Sequence, residues 1–306
     1  MHPMRSLPRF RPISGLIALG LMVLVAAPAV ADPFGDYWYQ GQAEITTYTL
    51  EQARYGEVHP GHAVLIFVTE DFSRSKHVKL DNPSAAGDDR VPVLKLNATK
   101  SFYTGVYPYS LMTSVFSPLD TAREPNPLKI TTTTQEWCGH TFSQIDRTAT
   151  GFDVRHHSYF ESEGDFDAGI VVHHTEDGLW NLIRLDPEAL PRGELELLIG
   201  TQFQRLSHQT WTPRIAQATL EVDPENSGLR IYTLSYPSLG RTLAIRFRAE
   251  FPHTIEGWEE VYRSGWGSGA QVLTTRATKK ERRMLDYWSR HDLADAPLRR
   301  ELGLED

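Results

Sequence analysis

The chain has 306 residues, with 31 Lys plus Arg against 39 Asp plus Glu and a formal net charge of −8. Such an acidic balance lacks the basic footprint that displaces counterions from phosphate, so no nucleic-acid partner is expected. A single cysteine, Cys138, excludes an internal disulfide, and stability must come from core burial, which a chain of this length can supply.

Residues 1–31 read as a cleavable signal peptide. Arg5, Arg9 and Arg11 precede an apolar run from Ile13 to Ala27, and Ala29-Val30-Ala31 gives a small-x-small cleavage signature. The run is shorter than the ~20 residues of a spanning helix. No cysteine follows the cleavage site, and Arg5 and Arg9 are not adjacent, so neither a lipoprotein nor a twin-arginine signal is indicated. Removing residues 1–31 takes away three arginines and no acid. It leaves 275 residues carrying 28 basic and 39 acidic side chains. The expected location is periplasmic or secreted, with no transmembrane segment after signal removal.

From residue 32 to 306 the pattern is that of one β-rich domain. Leu243, Ile245, Phe247, Ala249 and Phe251 alternate with Ala244, Arg246, Arg248 and Glu250, the period-two mark of a half-buried strand. Strands are expected at 44–58 and 63–71 around a His59-Pro60-Gly61-His62 turn, then at 91–96, 107–116, 128–144, 152–161, 169–174, 180–184 and 194–199. Further strands follow at 214–222, 229–236, 243–251, 257–262 and 271–276. Asp186-Pro187-Glu188 suggests a short helical turn. Thr278 and Glu281 resemble a capping box ahead of Met284, Leu285 and Trp288, which predicts a C-terminal helix at about 278–291. About a dozen sequential strands with short links predict a mainly β fold: a large curved antiparallel sheet or open barrel.

Several phrases occur together: Gln52-Ala53-Arg54-Tyr55-Gly56-Glu57, Leu65-Ile66-Phe67-Val68-Thr69-Glu70-Asp71-Phe72, Pro92-Val93-Leu94-Lys95-Leu96-Asn97, Thr104-Gly105-Val106-Tyr107-Pro108-Tyr109-Ser110 and Gln135-Glu136-Trp137-Cys138-Gly139-His140. The chain resembles, over most of its mature length, an uncharacterised family of exported bacterial proteins that often carries the label "septum formation inhibitor Maf". The Ser-x-Ser-x-Arg-Arg motif of Maf nucleotide pyrophosphatases is absent after Asp32, so the resemblance implies no catalytic residue. At the level of architecture the β pattern is also similar to periplasmic carriers of lipids and lipoproteins.

Three groups of residues carry possible chemistry. On a regular strand, Glu136, Cys138 and His140 share one face, where a histidine can activate a thiol and a carboxylate can orient the histidine. The alternative is a buried structural cysteine beside a hydrogen-bonded histidine. His157, Tyr159 and Glu161 share another face and offer an acid–base pair or a polar ladder. His157 and Glu161, joined by His140 from a neighbouring strand, supply three zinc ligands, but no HExxH spacing accompanies them, and no metal or cofactor is expected. His173-His174 before Glu176-Asp177-Gly178 reads as the solvated end of a hairpin. Aromatics beside strands, among them Tyr107, Tyr109 and Trp180, suit the wall of a ligand cavity as well as ordinary core packing.

The leading expectation is therefore an exported binding or carrier module. It would hold a lipid-like or other apolar small molecule, or an envelope protein, on a curved sheet, with Tyr107, Tyr109, His157, Tyr159, Glu161 and Trp180 as binding residues. The alternative is a hydrolase-type enzyme using Cys138, His140 and Glu136, or His157 and Glu161. No nucleophile elbow, P-loop or dinucleotide fingerprint is present.

Overall fold

The computed structural model describes residues 32–304; the predicted signal peptide lies outside the described residues. A short helix α1 (Pro33–Trp38) leads into a first meander. Its strands are β1 (Ala43–Arg54), β2 (Glu57–Ser73), the two-residue β3 (Val78–Lys79), β4 (Arg90–Thr104), β5 (Tyr107–Pro118), β6 (Lys129–Glu136), β7 (Gly139–Arg147), β8 (Phe152–Ser158) and β9 (Phe166–Ile170). After β10 (His174–Thr175) come α2 (Glu176–Leu185), β11 (Gly193–Leu198) and α3 (Thr201–Leu206). A second meander follows, with β12 (Arg214–Val222), β13 (Leu229–Tyr236), β14 (Arg241–Arg248), β15 (Ile255–Ser264) and β16 (Gln271–Leu285), and α4 (Leu298–Glu301) closes the chain.

All sixteen strands belong to one sheet. Its order is β10-β11-β12-β13-β14-β15-β16-β1-β2-β4-β5-β6-β7-β8-β9, with β3 paired to β2. The two meanders meet where β16 pairs antiparallel with β1, and β10–β11 is the parallel exception. The expected mainly β, curved antiparallel sheet is thus present, with more strands than the dozen predicted.

Its curvature follows from helix α2. Glu176 at the start of α2 accepts from Tyr236 Oη of β13 at 2.5 Å. Five residues on, Asn181 Nδ2 donates to Ser117 Oγ of β5 at 3.0 Å. Strands β13 and β5 are seven steps apart in the sheet, about 34 Å if it were flat at ~4.8 Å per strand. Glu176 and Asn181 are only about 7.5 Å apart along a helix rising 1.5 Å per residue. Only a sheet curled around α2 brings both strands to it. Helices α2 and α3 therefore sit on the inner face, and Leu179, Leu182, Ile183, Phe203 and Leu206 join one core with the inward residues of both meanders.

The C-terminal segment packs on the opposite face. Leu302 and Leu304 meet Ile45, Val64, Ile66 and Leu285. Thr47 Oγ1 donates to the Leu302 carbonyl at 2.7 Å, and Lys280 Nζ donates to the Gly303 carbonyl at 2.7 Å.

Four local expectations are corrected. The first hairpin turns at Tyr55-Gly56, both with positive φ (57° and 83°), and His59-Pro60-Gly61-His62 runs inside β2. Gly61 faces a tight backbone approach there: a Cβ would stand 2.3 Å from the Ser101 carbonyl. The expected strand at 128–144 is a hairpin, β6–β7, reversing at Trp137-Cys138. The expected strand at 180–184 is part of α2, which Thr175 caps by accepting from Gly178 N. The expected helix at 278–291 is mostly β16, because pairing with both β15 and β1 outweighs local helix signals; helix appears later, at α4.

Candidate functional site

Inner-facing positions along β4, β14 and β15 are mostly apolar, so the charges among them stand out. On β4 the inward register runs Leu94, Leu96, Ala98, Lys100, Phe102. On β14 it runs Arg241, Leu243, Ile245, Phe247, and on β15 it includes Trp258, Glu260 and Tyr262. Lys100, Arg241 and Glu260 converge with Glu176 and Asp177, at the N-terminus of α2, around a cavity of about 60 Å³. Leu65, Leu96, Val115 and Leu243 supply its apolar wall, and Trp180 and Trp258 meet edge to face at 5.2 Å on its border.

Arg241 organises the charges. Its Nη1 and Nη2 donate to the two Glu176 oxygens at 2.6 Å each, and its Nε donates to Glu260 Oε1 at 2.6 Å. The guanidinium also lies 4.1 Å from the Phe203 ring centroid. Burial alone would raise the Glu176 pKa, but Arg241 and Tyr236 hold it below the ordinary carboxylate range. The same pairing keeps Arg241 charged well past its usual range despite burial.

Asp177 has no such cation. Its Oδ2 accepts from Thr201 N at 3.0 Å. Burial first, and the neighbouring Glu176 charge second, push its pKa up to about 7. Gly200 closes this corner: a Cβ there would stand 2.4 Å from Glu176 Oε1.

Lys100 stands among these charges without a direct contact to any of them. It is only 9% exposed, and no hydrogen bond or ion pair engages its side chain among the described residues. Burial lowers its pKa, Arg241 adds to that, and Glu260, Glu176 and Asp177 oppose it. The carboxylates compensate the ammonium only through space, and burial still costs its charged form more than they return. The site thus sets a cationic side chain without a direct partner beside an apolar wall and two tryptophans.

The residues singled out from sequence fall in several places, and of the nine His140, His157 and Tyr159 line one open pocket together on the outer face. Glu136 points inward and is buried, where Arg205 Nη2 approaches it at 3.5 Å. Cys138 is exposed in the β6–β7 turn, with its backbone N donating to Glu136 Oε2 at 2.6 Å. Contact with Glu136 raises the Cys138 pKa, the opposite of thiol activation. His140 lies beyond the turn on the outer face, so these three do not share a face. His157 is outward on β8 and within 3.5 Å of Asp165, while Tyr159 and Glu161 follow the strand and are exposed. Among the described residues no cluster of His, Cys, Asp or Glu is suited to hold a metal. Tyr107 and Tyr109 meet at one end of the sheet. There Tyr107 Oη donates to Tyr55 Oη at 3.1 Å and Arg54 Nη2 donates to Tyr109 Oη at 3.4 Å. Only Trp180 of the nine borders the cavity.

Sequence reasoning missed Lys100, Glu176, Asp177, Arg241 and Glu260. The available signal was a charge on an otherwise apolar register, clearest at Lys100 between Ala98 and Phe102.

No protein-family model matches the chain, and no curated protein matches it. Among solved structures the chain is similar to a β-barrel-like protein of domain of unknown function DUF1849 from Brucella abortus. That match has 7% identity and a TM-score of 0.39, covering 79% of this chain and 98% of that one.

Proposed function

We propose that the protein is an exported binding module of the cell envelope whose ligand is a small amphiphile bearing one anionic group. The anion pairs with Lys100 and the apolar part lies against Trp180 and Trp258. The observation that carries this reading is the buried Lys100, whose side chain makes no hydrogen bond or ion pair among the described residues, bordering a cavity with an apolar wall. The signal-like residues 1–31 support the location. A long acyl chain does not fit while α2 and α3 occupy the inner face, because about 60 Å³ holds only a few small groups. The lipid-like ligand expected from sequence thus narrows to a short one.

Titration with butyrate, followed by tryptophan fluorescence, tests the reading, with 1-butanol as the uncharged control. Butyrate is expected to bind at least tenfold more tightly than butanol, and Lys100→Met to remove that difference. Equal affinities for the two, or an unchanged preference in Lys100→Met, would refute it.

A further inference from the structure

A second pocket, of about 210 Å³, lies between the inner face of β6–β8 and α3 with the residues that follow it. Ser143 on β7 and His156 on β8 are register partners there, and both are at least nine-tenths buried. Ser143 Oγ is 2.8 Å from His156 Nδ1. The other ring nitrogen, Nε2, faces Glu163 Oε2 at 3.6 Å. Glu163 is itself fixed, accepting from Ser158 Oγ at 2.6 Å and meeting His208 Nδ1 at 2.7 Å.

This network sets the tautomer. Burial would raise the Glu163 pKa, but His156, His208 and Ser158 hold it below the ordinary range, so it is a carboxylate. A carboxylate beside Nε2 favours the proton on that nitrogen. Nδ1 is then free to accept the Ser143 hydroxyl proton. Phe166 and Trp211 pack against the imidazole, each with ring centroids 5.4 Å away, and shield it from water. Arg205 borders the same pocket, 5% exposed, with Nε and Nη1 lacking any hydrogen-bond partner. A buried guanidinium with unused donors suits a developing negative oxygen.

The geometry points to an acyl-transfer site for small carboxylic esters, with Ser143 as nucleophile, His156 as base, Glu163 as the positioning carboxylate and Arg205 as the cation near the oxyanion. Ser143 Oγ bonds to the ester carbonyl carbon while its proton passes to His156 Nδ1. The carbon–alkoxy bond breaks, and His156 returns the proton to the departing alkoxide as the alcohol leaves. Water then attacks the acyl-serine with His156 again taking its proton. The acid departs and Ser143 regains its hydrogen. The roles follow from position in space, as in other serine acyl-transfer sites, with the two imidazole nitrogens exchanged.

The test is labelling of the full chain with a small alkyl fluorophosphonate, with the adduct located by peptide mass spectrometry. One equivalent is expected on Ser143. His156→Gln should slow labelling by about 10²-fold or more, the usual worth of a general base, and Ser143→Ala should abolish both the adduct and p-nitrophenyl acetate turnover. Circular dichroism establishes that each variant is folded. Should Ser143→Ala not fold, the site of the wild-type adduct decides alone. Labelling elsewhere, no labelling of the folded protein, or a rate indifferent to His156→Gln would overturn the assignment.

Discussion

Asp177 makes stability depend on pH in a direction opposite to most carboxylates. Its pKa rises from an ordinary 3.8 to about 7 on folding. The folded state thus favours the protonated acid, and the contribution to stability is lost as pH rises from about 4 through about 7. At about 1.4 kcal/mol per decade, ionising Asp177 in place costs up to about 4 kcal/mol above pH 7. Asp177→Asn removes this cost and keeps an oxygen to accept from Thr201 N. Urea unfolding of both proteins at pH 5 and pH 8 should therefore show the variant's advantage growing by about 3 kcal/mol between the two, over the two decades below pH 7. An advantage that stays flat from pH 5 to 8, or that shrinks, would refute the placement of Asp177 in a desolvated corner beside Glu176.

Arg241→Met strands Glu176 and Glu260 as buried carboxylates without their cation. It should cost about 3–5 kcal/mol in urea unfolding, whereas replacing all three residues by apolar ones of similar volume should cost far less. Gly200→Ala sets a methyl against Glu176 Oε1, which Arg241 Nη2 pins in place while Tyr236 Oη holds the other oxygen. A loss of about 1–3 kcal/mol in the same assay is expected, and a neutral result would show that the α2–α3 corner yields easily.

Legibility differed by element. The strand expected at 243–251 was readable from Leu243, Ile245 and Phe247, although β14 ends at Arg248 and residues 249–251 belong to the turn after it, while β12 and β13 match the predicted bounds. The His157, Tyr159, Glu161 face was one residue out of phase with the inward set Phe152, Val154, His156. In a strand that shift exchanges inside for outside. The Glu136, Cys138, His140 face failed because a two-residue turn reversed the chain between its members. Glu176-Asp177 looked like a solvated turn, since local sequence does not record that Arg241, some sixty residues on, folds back to meet it.

What the sequence determined by itself was the β architecture, because alternating side chains must divide between two faces wherever a strand forms. It also determined the large supply of inward apolar positions that made one core. Only the tertiary structure decided which charges are buried together, because curling the sheet around α2 brings β4, β14 and β15 to one helix terminus. Desolvation and pairing depend on those distances through space, and no spacing along the chain encodes them.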